Sequence, residues 1–236
     1  MRKITKPFLL VNPKSYLYGE KSLELAKAAD QAAASAEGLV DVFYTCCYPD
    51  LRLIRDNTEH VIVTAQHMDA IRPGRGQGYV LPEAIKDAGA EAVYMNHTEH
   101  ALTLETLYKT MVRGRGLGLI RIVCVNSVAE GVAIATMAPE ILVCEPSDLI
   151  GSGQKADDSY MTEAARRIHA VNPEVNVVIG ASISSGQDCV RVISSGADGT
   201  GATSGIVKAP DPGARVKEMV KAMADYKREE MRKSLQ

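Results

Sequence analysis

Eight short apolar runs, each followed by a longer amphipathic stretch, repeat along the chain. The runs occupy residues 8–12, 40–45, 61–66, 92–97, 120–126, 141–145, 177–182 and 198–202. They are rich in Val and Ile and do not alternate cleanly with polar residues, which is typical of parallel strands covered on both faces. Eight such units in 236 residues average about 30 residues each, the length of one strand with its crossover helix. The sequence therefore predicts a single-domain (β/α)8 barrel spanning residues 1–236.

The stretches between the runs have the period and the end signals of α-helices. The helical patterns cover residues 22–36, 81–88, 102–114, 127–137, 161–171, 187–195 and 212–233. Pro82 stands at the start of one pattern, and Gly89 and Gly196 follow the ends of two others.

Charge and cysteine content exclude several classes of protein. A net charge of −2 gives no field that would attract nucleic acid or an anionic membrane. No window approaches the roughly 18 apolar residues of a membrane span, and the apolar run after the basic first residues is too short for a signal peptide. The five cysteines form no C-x-x-C pair, which favours reduced thiols and predicts a cytoplasmic protein.

Polar side chains stand where the predicted strands end. In a (β/α)8 barrel the reactive residues lie at the carboxyl ends of the strands. The candidates are Asn12, Lys14, Gln66, His67, Asn96, His97, Cys124 to Ser127, Glu145, Ser182, Ala202, Thr203 and Ser204. Glu145 directly follows an apolar run and precedes Pro146, and burial at the edge of a core would raise its pKa and make it a candidate base.

The loops after the last two runs predict a phosphate site. Residues 180–188 (GASISSGQD) and 201–209 (GATSGIVKA) are small, glycine-bearing segments with many accessible backbone N–H groups. Barrels commonly hold a phosphate between these two loops, with help from a helix N-terminus. Neither a P-loop nor a G-x-G-x-x-G motif is placed to bind a nucleotide, so no cofactor is predicted.

Several motifs in order are similar to those of a known family. They are NPKSY (12–16), AQHMD (65–69), NHTEH (96–100), CEPSDLIGSG (144–153) and the two glycine-bearing loops. On these motifs the chain resembles the triosephosphate isomerase family, particularly its short archaeal form, from one end to the other. The resemblance implies a TIM barrel that interconverts dihydroxyacetone phosphate and D-glyceraldehyde 3-phosphate through an enediolate, in glycolysis and gluconeogenesis.

Carried over by position, the resemblance makes Glu145 the base and His97 the electrophile that polarises the carbonyl group. Lys14 and Asn12 would stabilise the oxyanion, and no metal is needed. The resembled family is itself the standard example of a carboxylate base beside a neutral histidine whose pKa a helix N-terminus lowers. Further substrate contacts are implied for residues of the loops, namely Ile150, Gly151, Ser182, Ala202, Thr203 and Ser204. Gly151 and Gly153 would let the loop after Glu145 hinge over the substrate.

Other interpretations of the sequence stay open. The segment GATSG (201–205) lacks the paired glycines typical of bacterial and eukaryotic members of the resembled family. Such a phosphate loop would also suit an isomerase of a four-carbon ketose phosphate, or a barrel that only binds a sugar phosphate. In the resembled family the loop at residues 65–83 docks into a neighbouring subunit, which predicts a homodimer or a homotetramer. His100 is expected at a surface or interface, and Cys124 is assigned to packing. His60, His67 and His169 have no evident partner in the sequence.

Overall fold

The computed structural model describes residues 2–145, 157–180 and 183–235, and it contains a closed barrel of eight parallel strands. The strands are β1 (Phe8–Val11), β2 (Asp41–Cys46), β3 (Ile62–Ala65), β4 (Ala92–Met95), β5 (Ile120–Val125), β6 (Ile141–Cys144), β7 (Asn176–Ile179) and β8 (Gly199–Ala202). Each strand pairs with the next in sequence, and β8 closes the ring against β1. The predicted (β/α)8 fold is confirmed.

Helices surround the barrel. Within the described residues they are α1 (Gly19–Ser35), α2 (Leu51–Asp56), α3 (Pro82–Asp87), α4 (Leu104–Leu117), α5 (Val128–Ala135), α6 (Asp158–Val171), α7 (Gly186–Ser194), α8 (Ser204–Val207) and α9 (Pro212–Lys233). The sequence patterns missed α2 and α8, because six and four residues show no clear helical period. The equally short α3 was predicted because Pro82 stands at its start and Gly89 follows its end. No helix in the described part of the chain is both long and apolar enough to cross a membrane.

Two apolar layers explain why the strands read as continuous hydrophobic runs. Alternate residues of each strand point into the barrel, and the others pack under the helices. The interior holds Phe8, Leu10 and Phe43, with the two aromatic rings tilted at 60° and their centroids 5.5 Å apart. Burying aromatic and aliphatic side chains on both faces of the sheet is the main source of the barrel's stability.

The small residues of β8 make room for this packing. A β-carbon on Gly199 would lie 2.7 Å from the ring and from the carbonyl oxygen of Phe8. The last strand carries glycines because a large side chain of β1 occupies the adjacent space. Residues 198–202, grouped with the apolar runs in the prediction, therefore contain no Val or Ile, unlike the other seven.

All eight strands run in the same direction, so their carboxyl ends share one rim of the barrel. Asn12 follows β1, His97 lies two residues after β4, and Glu145 directly follows β6. Residues far apart in the sequence therefore lie together at the carboxyl-end rim of the barrel.

Candidate active site

A cavity of about 670 Å³ opens at this rim. Asn12, Lys14, His97 and Glu145 all line it, so the structure brings together the four side chains that the strand ends suggested. Its other lining residues include Leu10, Tyr94, Glu99, Cys124, Val143, Val178, Gly180, Ser184, Thr203, Ser204 and Lys208. The cavity has an apolar floor inside the barrel and a polar wall formed by the loops.

Lys14 is held in an unusual backbone conformation. Its φ angle is 49°, in the left-handed region that residues other than glycine seldom adopt. Two contacts fix this turn: the Lys14 N–H donates to Asn12 Oδ1 at 3.0 Å, and Gln66 Nε2 donates to the Lys14 carbonyl oxygen at 2.9 Å. The ammonium group then meets Glu99, with Nζ 2.7 Å from Oε1. Glu99 was not among the candidates from the sequence, although it lies inside the NHTEH motif.

His97 caps a short 3₁₀ turn, Thr98–His100. Its Nδ1 accepts the N–H of Glu99 at 3.1 Å, so in the neutral ring the proton is carried by Nε2. The pKa of His97 is lowered from its ordinary value, first by burial and then by the Lys14 ammonium, while Glu99 raises it. The sequence predicted a lowered pKa from a helix N-terminus, but burial and Lys14 are the causes that the structure supports.

Glu145 extends β6 by one residue. Its N–H donates to the carbonyl oxygen of Val125 at 3.1 Å, which continues the pairing between β5 and β6. The carboxylate lies against Gly180, the residue that follows β7. The candidates Ile150, Gly151 and Ser182, with Pro146 and Gly153, lie outside the described residues.

The loop after β8 contributes the remaining candidates, and Ala202, Thr203 and Ser204 all line the cavity. Opposite them Ser184 is tied to α7, because its N–H and its hydroxyl donate to Asp188 Oδ2 at 3.0 and 3.1 Å. Lys208 also lines the cavity and supplies a positive charge on this side. Neither Ser184 nor Lys208 was singled out from the sequence, although both lie within the two glycine-bearing loops.

Two histidines that had no evident partner in the sequence do have partners, so that expectation was wrong. The ring of His67 is buried and stacked on His100, with centroids 4.1 Å apart, and His67 Nε2 lies 3.4 Å from Asp69 Oδ1. His169 Nε2 lies 2.9 Å from Asp198 Oδ2. His67 and His100 line a second cavity, of about 390 Å³, which adjoins the first beside Lys14.

Possible metal ligands and cysteine thiols among the described residues form no group that could hold a metal ion and no disulfide. Within residues 2–145, 157–180 and 183–235, no three His, Cys, Asp or Glu side chains are grouped to hold a metal ion. The five cysteines, all of them described, are free thiols. Burial raises the pKa of Cys124, on the cavity floor, well above its ordinary value.

The fold and the cavity define a class: a (β/α)8 barrel with acid–base side chains at the carboxyl ends of its strands. Within that class, a family model described as triosephosphate isomerase matches residues 7–223. The triosephosphate isomerase of Methanoculleus marisnigri is 36% identical over 222 residues, 91% of this chain and 97% of the relative. Those of Methanocaldococcus jannaschii and Methanosarcina mazei are each 34% identical, over 90% and 91% of this chain and 98% of each relative. The chain belongs to the triosephosphate isomerase family.

Proposed function

We propose that this protein interconverts dihydroxyacetone phosphate and D-glyceraldehyde 3-phosphate. The observation that carries the proposal is that Glu145, His97 and Lys14 line one cavity of about 670 Å³. Moving a carbonyl group along a sugar phosphate requires removing a weakly acidic proton beside C=O. It therefore needs a base together with groups that stabilise the resulting negative charge. A carboxylate, a neutral imidazole and an ammonium group are sufficient.

In the proposed mechanism Glu145 removes the proton from the carbon beside the carbonyl group. The electron pair of that C–H bond forms the enediolate double bond, and charge develops on the former carbonyl oxygen. His97, with its proton on Nε2, donates a hydrogen bond to this oxygen, and Lys14 and Asn12 stabilise it further. The former carbonyl oxygen then gains a proton, the hydroxyl oxygen on the deprotonated carbon loses one, and Glu145 returns its proton to the former carbonyl carbon, so that no atom is gained or lost overall.

The phosphate group would lie between the loops after β7 and β8. Thr203, Ser204 and Lys208 line the cavity on this side, and backbone N–H groups together with an ammonium group suit a phosphate. Ile150, Gly151 and Ser182 are proposed as further contacts on the resemblance alone. Phosphate binding of this kind supplies energy that orders the reactants.

The remaining proposals concern the protein as a whole. On the resemblance of the loop at residues 65–83 we propose a homodimer or a homotetramer. The five free thiols support a cytoplasmic protein, and the one closed barrel of the described residues supports a single-domain enzyme. Light scattering at micromolar concentration tests the assembly. A monomer at every concentration would contradict it.

A coupled assay tests the function. The native chain should convert triose phosphates faster than a four-carbon ketose phosphate, and Glu145→Gln should lower kcat by about 100- to 10,000-fold. Glu91→Gln is a matched control, because Glu91 lies just before β4 at the opposite rim, 3.7 Å from Arg2. Faster turnover of the four-carbon substrate would favour the alternative isomerase, and no turnover of either would favour a barrel that only binds.

A further inference from the structure

Asn96 directly follows β4 in a backbone conformation that few residues adopt. Its φ angle is 59°, in the left-handed region where glycine and asparagine are favoured and most other residues are strained. The residue lines neither of the two cavities at the rim, and the proposed reaction gives it no chemical step. The turn therefore needs another explanation.

The turn at Asn96 changes the direction in which the next side chain points. Tyr94 points into the barrel, and Met95 packs under the helices. If β4 continued in extended form, this alternation would direct the side chain of residue 97 towards the helices. His97 nevertheless lines the candidate active-site cavity. The left-handed turn between Met95 and His97 is therefore what brings the imidazole ring to the mouth of the barrel.

The Asn96 side chain holds this turn from two sides. Its Nδ2 donates to the carbonyl oxygen of Cys124 on β5 at 3.0 Å, just beyond the last paired positions of the two strands, Met95 and Val123. Its Oδ1 accepts the N–H of Leu102 at 2.9 Å. Both ends of the amide are thus engaged, and the segment that carries the imidazole ring is closed between Asn96 and Leu102.

The closed segment is bonded internally and anchored at its far end. The His97 carbonyl oxygen accepts the His100 N–H at 2.7 Å, and the ring Nδ1 accepts the Glu99 N–H at 3.1 Å. Leu102 packs against the apolar layer under the helices. A movement of the turn at Asn96 would therefore move the imidazole ring relative to the cavity.

We infer that Asn96 is a positioning residue: it turns the chain after β4 and clamps that turn to β5 and to Leu102, so that His97 faces the cavity. The functional meaning of this inference rests on the proposed isomerase activity. The contacts that carry it all involve described residues.

Two substitutions separate the turn from the clamp. Asn96→Gly permits the same φ angle but removes both hydrogen bonds, and we expect kcat to fall by about 10-fold. Asn96→Ala also disfavours the φ angle, so kcat should fall by about 100-fold, the cost of a misplacement of about 1 Å. In Asn96→Gly the inhibition constant of inorganic phosphate should change by less than about 2-fold, because the phosphate is proposed to lie between the loops after β7 and β8. An unchanged kcat in both variants would overturn the inference.

Asn172→Ala is the matched control. Asn172 lies before β7 at the opposite rim, where its Nδ2 donates to the Ala135 carbonyl oxygen at 3.4 Å and its Oδ1 accepts the Glu174 N–H at 3.1 Å. Loss of these contacts should lower the melting temperature and leave kcat unchanged. An equally large loss of kcat in Asn172→Ala and in Asn96→Gly would mean that general stability, and not the position of the ring, is at work.

NMR titration of the His97 ring tests its position without turnover. Burial and the Lys14 ammonium lower the pKa of His97 in the native chain, so a ring displaced from the cavity in Asn96→Gly should titrate closer to the ordinary value of 6.5. The spectrum of His97→Gln assigns the signal. An unchanged pKa in Asn96→Gly would overturn the inference whatever the activity.

A double-mutant cycle tests whether Asn96 acts through His97. Added to His97→Gln, Asn96→Gly should lower kcat by less than about 2-fold further, and an equal loss in both backgrounds would contradict the inference. Native protein that turns over no triose phosphate would refute the proposed function, and the NMR titration would still test the position of the ring. A fully active native chain with an additive cycle would refute only the role of Asn96.

Discussion

The carboxylate of Glu145 occupies the space where residue 180 would carry a side chain. A β-carbon built on Gly180 would lie 1.8 Å from Glu145 Oε1, far inside van der Waals contact. Glu145 and Gly180 directly follow β6 and β7, which are adjacent strands, so the barrel itself imposes this closeness. The acid can take this position only because the neighbouring strand ends in glycine.

Gly180→Ala should therefore displace the carboxylate. A displacement of about 1 Å can cost about 100-fold in rate, so we expect kcat/KM to fall by at least about 10-fold. Gly116→Ala is the control, because Gly116 lies exposed on α4 with no atom within 4 Å of an added β-carbon. That change should leave activity intact and stabilise the protein by up to about 1 kcal/mol. Full activity of Gly180→Ala would show that the Glu145 carboxylate does not need its position beside residue 180.

Glu99 links two side chains of the candidate site, since it pairs with Lys14 and its N–H donates to His97. Because Glu99 raises the pKa of His97, Glu99→Gln should lower that pKa further, which NMR titration of the ring would detect. Without Glu99 to hold it, the Lys14 ammonium should be less well positioned and kcat/KM should fall by about 10-fold. Stability should change by at most about 1 kcal/mol because the Glu99 side chain is 64% exposed. Glu105→Gln is the control: it removes an exposed ion pair with Lys109 on α4 and should change neither the pKa of His97 nor kcat/KM.

His67 makes stability depend on pH. Burial lowers its pKa from 6.5, and the neighbouring His100 lowers it further, while Asp69 raises it. Below about pH 6.5 the unfolded chain binds a proton that the native chain does not, so the free energy of unfolding should decrease as the pH falls and level off below the native pKa. Urea unfolding at several pH values between 5 and 8 measures the slope of the free energy of unfolding against pH. His67→Gln should make it shallower, and an unchanged slope would assign the effect to other groups.

Asp30 anchors the chain ahead of β3. Its Oδ1 accepts the backbone N–H groups of Glu59, His60 and Val61 at 3.0, 2.6 and 3.0 Å. Asp30→Ala leaves these donors without their acceptor and should lower the free energy of unfolding by about 1 to 3 kcal/mol. Asp30→Asn keeps one acceptor oxygen and should lower the free energy of unfolding by less than Asp30→Ala does. Because this contact is at the opposite rim, kcat should stay the same in both variants.

The sequence predicted the barrel because each strand and each long helix carries its own local pattern. The prediction included β8 among the eight runs, although residues 198–202 are not apolar. Helix α2 was missed because it is too short to show a period, and the stacking of His67 on His100 was missed because no local pattern reports a contact between two loops. The placement of Asn12, Lys14, His97 and Glu145 followed from the common direction of parallel strands.

Other parts of the site depend on side-chain contacts across the barrel. Tyr94 lies inside the barrel and lines the cavity, and an apolar run gives no sign of the direction in which one of its tyrosines faces. The cause of the lowered pKa of His97 also required the structure, because burial is a property of the whole fold.

Proton exchange in D₂O tests the central claim most directly. If Glu145 removes and returns the proton through an enediolate, triose phosphate isomerised by the native chain should carry solvent deuterium on the carbon beside the carbonyl group. Glu145→Gln should slow both isomerisation and deuterium uptake by about 100-fold or more. Deuterium uptake at the native rate in Glu145→Gln would contradict the account, because another group would then be the base.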